Sequence, residues 1–306
     1  MLTQATNPVE SSLEKERQQL ADLIQQLTTQ DGVQETAIDE LVLFRSDSPT
    51  KVTPVIYEPA FCVLVQGSKV IYCGEETIHY NTLQFLLVPV MMPVAGKILT
   101  ASSTEPYFGV RVDINMRELT DLIIDTADHG KSLEKAKGLN VGQVDLPLLN
   151  AIHRLVQLSQ RPFDIPVMLP LLRREILYRL LQGEQGALLR DFTRIDSQAH
   201  RVASVIEMIT QRFDQTLRVK ELAEKVHLSE SALYQAFKAV TTMSPMQFQK
   251  QLRLNEARRI MLNEGTEAAT ASYKVGYESP SQFSREYSRL FGASPKADVA
   301  RFRQAI

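Results

Sequence analysis

Hydrogen-bonding side chains near the carboxyl terminus recur at helical spacing. Ser281, Gln282 and Arg285 fall on one face of the stretch SQFSREYSRLF, and Arg289 continues that face one turn later. An arginine can donate two hydrogen bonds to a guanine edge, and serine and glutamine also bond to base edges. This face predicts base contacts from the first three residues and a phosphate contact from Arg289. The alternative is a small amphipathic helix whose polar face is only solvated.

The residues before this face predict a tight turn followed by a capped helix. Gly276 follows the helical pattern of residues 267–275 and suits the left-handed residue that closes a helix. Ser279 can cap the next helix, Pro280 fits its first position, and Gln282 would complete a capping box. The apolar stripe of that helix consists of Phe283, Tyr287, Leu290 and Phe291. Helix, turn and helix together predict a helix-turn-helix unit.

The same arrangement occurs about fifty residues upstream. A helix is predicted at residues 219–226, a turn at 227–228, and a helix capped by Ser229 at 229–240. The outward side chains of the capped helix are Ser231, Tyr234, Gln235 and Lys238. We predict base contacts from the first three and a phosphate contact from the lysine. The repetition favours a DNA-binding domain over an isolated surface helix.

The carboxyl-terminal third resembles the DNA-binding domain of the AraC/XylS family of bacterial transcription regulators. The matching segments are LRVKELAEKVHLSESALYQAFKAVTTMSPMQF, LRLNEARRIML and VGYESPSQFSREYSRLFGASP. The resemblance implies two helix-turn-helix units that read a double-stranded DNA operator. The long helix predicted at residues 245–262 bridges the two units. Its Lys250 and Arg253 are further candidates for phosphate contacts, and Arg258 and Arg259 are cations available beside them.

Charge is distributed unevenly along the chain. From Asp196 onward there are sixteen Lys and Arg against twelve Asp and Glu, whereas the preceding residues have eighteen against twenty-four. A basic third beside an acidic remainder is typical of a nucleic-acid-binding domain joined to a sensing domain. We predict a sensing and dimerisation domain at 1–190, a DNA-binding domain at 196–306, and a polar hinge at 191–198.

Short apolar runs separated by turn residues fill the region from about Leu41 to Val112. The predicted strands are residues 61–65, 70–72, 77–80, 85–88, 98–100 and 107–112. Strands at this spacing indicate a barrel or a sandwich. The segment FRSDSPTKVTPVIYEPAFCVLVQGSK resembles the amino-terminal domain of one AraC-family branch, which implies a cupin-like β-barrel over roughly residues 35–125. The predicted fold is α+β and multidomain: a cupin-like barrel with flanking helices, then an all-α domain with two helix-turn-helix units.

Helical periodicity flanks the predicted barrel. The predicted helices are residues 8–30, 116–125, 146–160, 166–181 and 200–213. Residues 128–145, with three glycines, are predicted to form a loop. In the resembling family, helices after the barrel connect the domains and often help to dimerise them. A homodimer is therefore expected.

Polar residues beside the apolar strands are candidates for contacts with a small-molecule effector. They are Tyr57, Gln66, His79, Tyr107 and Arg111. Each can equally be a core or edge residue whose polar tip is satisfied. A metal-dependent cupin enzyme needs several ligands, chiefly imidazoles, and His79 is the one histidine in this region. We therefore expect no metal and no cofactor.

The two cysteines, Cys62 and Cys73, give no disulfide framework and suit a reducing cytosol. The strand position of Cys62 favours a buried, inert thiol over a reactive one. No apolar run approaches the roughly 20 residues that a membrane span requires. These features predict a cytoplasmic protein with no membrane partner.

Three functions remain open from the sequence. The leading interpretation is a DNA-binding transcription regulator whose barrel senses a small molecule. The second is a regulator without a ligand, whose barrel only dimerises. The third is an enzyme, either a barrel catalyst or a DNA-repair methyl acceptor, but the chain lacks the metal-ligand spacing and the cysteines these require. We expect no enzymatic activity, and a contact with RNA polymerase is left open.

Overall fold

The structure, a computed structural model, describes residues 8–126 and 136–304. Strands dominate its amino-terminal half and helices the remainder. The strands are β1 (Gly32–Glu35), β2 (Leu41–Ser46), β3 (Thr53–Tyr57), β4 (Ala60–Gln66), β5 (Ser68–Cys73), β6 (Glu76–Asn81), β7 (Gln84–Val88), β8 (Met92–Thr100), β9 (Tyr107–Asp113) and β10 (Asn140–Gln143). The helices are α1 (Pro8–Leu27), α2 (Met116–Asp125), α3 (Leu146–Leu158), α4 (Ile165–Gln182), α5 (Gly186–Thr193), α6 (Gln198–Gln211), α7 (Val219–Lys225), α8 (Glu230–Thr241), α9 (Pro245–Asn263), α10 (Ala268–Lys274), α11 (Pro280–Phe291) and α12 (Pro295–Gln304).

The strands form two antiparallel sheets. One has the order β1-β2-β9-β4-β7-β10, and the other has the order β3-β8-β5-β6. Apolar residues from both sheets, such as Val63 and Ile71, are buried in one continuous core. No ladder among the described strands joins the two sheets. The predicted barrel is therefore an open structure of two sheets around a shared core.

The six predicted strands are confirmed within β4 to β9, while β1, β2, β3 and β10 have no counterpart among them. Strand β3 contains Pro54, which is tolerated because β3 lies at the edge of its sheet. Strand β10 lies inside the predicted loop, so that prediction is wrong for residues Asn140–Gln143. Residues 127–135 of the same predicted loop lie outside the described part of the chain.

The predicted helices are confirmed with small differences at their ends, and their starts follow local capping. The Asp145 carboxylate accepts a hydrogen bond from the backbone N–H of Leu148 at the start of α3 (2.8 Å). The Ser197 hydroxyl accepts one from the backbone N–H of His200 at the start of α6 (3.0 Å). None of the described helices combines the length and apolar character needed to cross a membrane.

The predicted hinge at residues 191–198 is wrong in its first part, because α5 extends to Thr193. Asp191 is buried in that helix, and its backbone carbonyl accepts a hydrogen bond from the Ser197 hydroxyl. The His200 Nδ1 atom lies 3.0 Å from the Phe192 carbonyl oxygen. The junction between α5 and α6 is thus a short, hydrogen-bonded turn.

The first helix-turn-helix unit packs against the sheets. One hydrophobic core runs from the strands through α6, α7 and α8 to Leu252 in α9, whereas the second unit has a core of its own. The backbone N–H of Gly138 donates to the carbonyl of Val240 at the end of α8 (2.9 Å). The Cys73 sulfur lies 3.3 Å from the Thr242 hydroxyl. The two units therefore differ in their attachment to the amino-terminal part.

Candidate nucleic-acid interface

The first unit consists of α7, a turn and α8. His227 takes a left-handed conformation in the turn (φ 55°), and the Ser229 hydroxyl caps α8 by accepting from the Ala232 N–H (3.2 Å). Phe237 anchors α8 by an edge-to-face contact with Phe248 of α9, with ring centroids 5.4 Å apart. The predicted outward residues of α8, which are Ser231, Tyr234, Gln235 and Lys238, are all exposed. The helix thus presents a continuous polar face.

The second unit consists of α10, a turn and α11. Gly276 has the predicted left-handed conformation (φ 84°), and Ser279 accepts a hydrogen bond from the Gln282 backbone N–H. The predicted capping box is wrong, because the Gln282 side chain donates to the Glu286 carboxylate instead (3.4 Å). A complete capping box with the same Ser-x-x-Gln spacing occurs at α9, between Ser244 and Gln247.

Helix α11 buries Phe283 and Tyr287 and leaves its opposite face in solvent. The exposed residues of that face are Ser281, Gln282, Arg285 and Arg289. Within the described part of the chain, neither arginine forms an ion pair. Unpaired, exposed guanidinium groups on a helix that follows a tight turn fit contacts with base edges or phosphates.

A carboxylate lies beside this face and was not anticipated. Glu286 accepts a hydrogen bond from the Tyr277 hydroxyl (2.8 Å) and lies 4.0 Å from the ammonium of Lys250. Lys250 itself is exposed. All three residues line a cleft of about 380 Å³ between the two units. Glu286 therefore adds a negative charge next to a predicted phosphate-contacting lysine.

The prediction that Arg253 contacts phosphate is revised by its surroundings. Its guanidinium donates to the backbone carbonyls of Phe213 (2.6 Å), Gln215 (2.7 Å) and Gly276 (2.9 Å). The first two carbonyls precede α7, and the third lies in the turn before α11. Arg253 thus holds the two units together and has few donors left for DNA.

Arg258 and Arg259 are also engaged within the protein. The Arg258 guanidinium makes a two-point ion pair with the buried carboxylate of Asp298 (2.8 and 3.1 Å), which also accepts from the Tyr287 hydroxyl (2.7 Å). Burial and the hydrogen bond to Asp298 raise the pKa of the Tyr287 hydroxyl, so it remains a donor. Arg259 pairs with Glu256 on the surface (2.7 Å). The Asp298 contacts fasten α12 to α9 and α11.

The predicted effector residues are only partly brought together. Tyr57, Tyr107 and Arg111 line a cavity of about 200 Å³ between the sheets. His79 does not, because it is exposed on β6. The Gln66 amide donates to the Pro106 carbonyl (2.8 Å), outside the cavity lining. His79 and Gln66 thus lie outside the lining of this cavity, and their role as effector contacts stays a prediction.

Two cavity residues carry chemistry of different kinds. Burial raises the pKa of the Cys62 thiol to about 11, so the thiol is protonated at neutral pH and a poor nucleophile. Lys69 also lines the cavity, although the sequence patterns did not predict it as an effector contact. Strand alternation gives the signal that could have found it, because Lys69 shares a face of β5 with buried Ile71 and Cys73.

Across the described residues, no group of three or more His, Cys, Asp or Glu side chains is arranged to hold a metal ion.

Two family models match the chain. The AraC-type transcriptional regulator N-terminus matches residues 37–188, and a helix-turn-helix domain matches residues 222–301. The first match covers β2 to β10 with α2 to α4 and the start of α5, and the second covers α8 to α11 with most of α7 and α12.

Curated relatives share part of the sequence. The lactose operon transcription activator of Staphylococcus xylosus is 24% identical over 238 residues, which are 76% of this chain and 80% of the relative. The regulator CdhR of Pseudomonas aeruginosa is 30% identical over 125 residues, or 41% of this chain and 37% of the relative. The activator RhaS of Salmonella is 25% identical over 166 residues, or 54% and 58%. The chain thus spans less than two thirds of the length of CdhR and of RhaS.

Solved structures of ToxT from Vibrio cholerae share the fold. The form with a bound unsaturated fatty acid has a TM-score of 0.57 at 10% identity and covers 87% of this chain and 96% of ToxT. The form bound to (E)-4-(8-methylnaphthalen-1-yl)but-3-enoic acid has a TM-score of 0.58 at 11% identity, covering 84% and 96%. At such low identity the likeness establishes the architecture alone.

Proposed function

Because this chain belongs to the AraC/XylS family of DNA-binding transcription regulators, we propose that it reads an operator with both helix-turn-helix units under the control of a small molecule. The observation that carries the proposal is the pair of exposed polar faces on α8 and α11, each placed after a tight turn. Its family relatives are regulators, and we propose no enzymatic activity and a place in the cytoplasm.

The proposed contacts divide by chemistry. Ser231, Tyr234 and Gln235 of α8 would face bases in one major groove, and Ser281, Gln282 and Arg285 of α11 would face bases in the next. Lys238, Lys250 and Arg289 would contact phosphates. Arg253 is reassigned to positioning, since three backbone carbonyls occupy its guanidinium. The division into a sensing domain at 1–190 and a DNA-binding domain at 196–306 is retained as part of the proposal.

Replacing Arg285 with alanine is expected to cost about 1–3 kcal/mol at the operator and to relax discrimination at one or two base pairs. Its guanidinium is exposed and unpaired among the described residues, so it is free to bond a guanine edge. Gel-shift titration against a single-base operator library measures both effects. Arg289→Ala is the matched control. It is expected to weaken binding to all operator sequences alike and to lower the slope of log affinity against log salt concentration by about 1. Uniform loss in Arg285→Ala would make it a phosphate contact.

The proposed homodimer would form through the exposed apolar face of α4. Phe163, just before the helix, is 98% exposed, and Val167, Leu171 and Tyr178 continue the strip at helical spacing with exposures of 69%, 59% and 45%. Exposed apolar residues grouped on one helix face are a feature of interaction sites in soluble proteins. A second copy fits because the same strip on both chains is self-complementary about a two-fold axis.

Leu171→Asp is expected to raise the dimer dissociation constant by at least about tenfold, which corresponds to about 1.4 kcal/mol. The reason is that a carboxylate would be buried without a partner in an apolar contact. Analytical ultracentrifugation of the full chain measures the change. Ile124→Asp, at an equally exposed position on α2, serves as control. Equal dimerisation of both variants and the wild type would exclude the apolar face of α4 as the dimer contact.

The sensing role is proposed for the cavity between the sheets. Tyr57, Tyr107 and Arg111 supply polar groups there among apolar walls. ToxT structures with bound carboxylic acids lend support from a related architecture. The second candidate, a regulator whose sheets only dimerise, predicts no change in melting temperature across a metabolite library, whereas a sensor is stabilised by its ligand. A contact with RNA polymerase stays open within this proposal.

A further inference from the structure

Lys69 lies on β5 beside the cavity between the two sheets, and it is partly exposed. On β5 it shares a face with Ile71 and Cys73, which are both buried, and it pairs across the ladder with buried Tyr80 of β6. Its side chain lines the cavity of about 200 Å³ between the sheets. Apolar and aromatic walls desolvate part of this side chain, so a partner for its charge would stabilise it.

Aromatic rings hold the ammonium group in place. Lys69 Nζ lies 5.7 Å from the ring centroid of Tyr57 and 5.9 Å from those of Phe44 and Tyr107. Each contact is near the outer limit of a cation–π interaction, so the three rings partly compensate the lost hydration. They direct the charge into the cavity without neutralising it.

No carboxylate of the described residues pairs with Lys69. The other cation in the cavity, Arg111, is already neutralised by Asp113, with its Nε 2.8 Å from a carboxylate oxygen. Glu58 also lines the cavity, but it is exposed to solvent. One uncompensated positive charge therefore faces an otherwise largely apolar space.

We propose that the cavity binds a small organic monocarboxylate, whose carboxylate pairs with Lys69 and whose apolar body packs among the surrounding rings and valines. The inference rests on the proposed sensing function and adds the class of effector. A cavity of about 200 Å³ has space for roughly seven water-sized groups, so the ligand is the size of benzoate or a short fatty acid. A long acyl chain exceeds that space.

Isothermal titration calorimetry with the full chain tests the proposal without DNA. The probes are benzoate, phenylacetate and hexanoate, each beside its neutral amide, with sulfate as an anion that has no apolar body. At least one carboxylate is expected to bind about tenfold or more tightly than its amide and than sulfate, because the amide leaves Lys69 without a counter-ion. Lys69→Met is expected to remove that preference, whereas Lys51→Met, at an exposed site outside the cavity, retains it.

Several outcomes would overturn the proposal. They are failure of every carboxylate to bind, equal binding of carboxylate and amide, and unchanged selectivity in Lys69→Met. A lower melting temperature of Lys69→Met with no carboxylate selectivity in the wild type would instead assign Lys69 a purely structural cation–π role. DNA binding by the wild-type chain, measured in parallel, distinguishes failure of the proposed function from failure of this inference. Failure to bind any operator contradicts the proposed function, whereas operator binding without carboxylate binding contradicts this inference alone.

Discussion

Gly276→Ala is expected to destabilise the second helix-turn-helix unit by about 3 kcal/mol or more. A left-handed conformation costs a non-glycine residue about 1–2 kcal/mol. A Cβ at this position would also lie 1.9 Å from the Asp214 carbonyl oxygen, so the turn and the segment before α7 must separate. Displacing packed backbone adds about 1–3 kcal/mol. Because the turn sets the direction of α11, operator affinity should fall with stability.

Gly292→Ala provides a matched control. Gly292 ends α11 with a similar left-handed conformation (φ 71°), but a Cβ there would meet no atom within 4 Å. Its expected cost is therefore the conformational part alone, about 1–2 kcal/mol. Urea unfolding measures the stability of both variants, and gel shifts measure their operator affinity. The difference between the variants isolates the steric conflict with Asp214 from the cost of the left-handed backbone that both share. Equal losses in the two variants would contradict the role given to the contact between Gly276 and Asp214.

Asp298→Ala is expected to cost about 3–5 kcal/mol, because it leaves the Arg258 guanidinium without its buried carboxylate partner. Asp298 is 6% exposed, and it accepts hydrogen bonds from both Arg258 and Tyr287. The substitution should also loosen α12 from α9 and α11, which lowers operator affinity. Thermal unfolding and gel-shift titration measure the two consequences.

Glu256→Ala is the control for Asp298→Ala. It removes the carboxylate of an ion pair with Arg259 that is open to solvent. Exposed pairs of this kind contribute about 0–1 kcal/mol. An Asp298→Ala variant as stable as Glu256→Ala would show that the buried ion pair does not hold the second unit together.

The helical part was predictable because its determinants are local. Ser229 and Ser279 cap the helices they precede, and Gly276 closes the turn, all within a few residues of the pattern that indicated them. Periodicity also identified the buried stripe of α11. Local signals can still mislead: Gln282 satisfies the capping-box spacing, yet its amide is drawn to Glu286 one turn later.

The contacts of the arginines could not be predicted from spacing. Arg253 and Arg258 look like free cations on a solvated helix, but their partners lie 23 to 40 residues away in the chain. Phe213, Gly276 and Asp298 reach them only through tertiary folding. A sequence reading of charge therefore overcounts the groups available to phosphate.

The sheets were predicted in outline and their cavity only in part. Most strands with continuous apolar runs were predicted, but β2 was not, although its LVLF run is apolar. Strands β1, β3 and β10 are short or contain proline or glycine and carry a weak signal. Tyr57, Tyr107 and Arg111 converge on the cavity because β3 and β9 line it. Lys69 was not predicted because a lysine is expected in solvent, although strand alternation places it on the face of β5 that carries buried Ile71 and Cys73.

Selection of bound duplexes from a random-sequence DNA library by the full chain tests whether both helix-turn-helix units read sequence. We expect an enriched operator with two sub-sites whose centres lie about 10–10.5 base pairs apart, one for each unit. The sub-site read by α11 should tolerate fewer substitutions, since Gln282 and Arg285 offer stronger readout than the uncharged side chains of α8. Binding without any enriched sequence would show that neither α8 nor α11 reads bases.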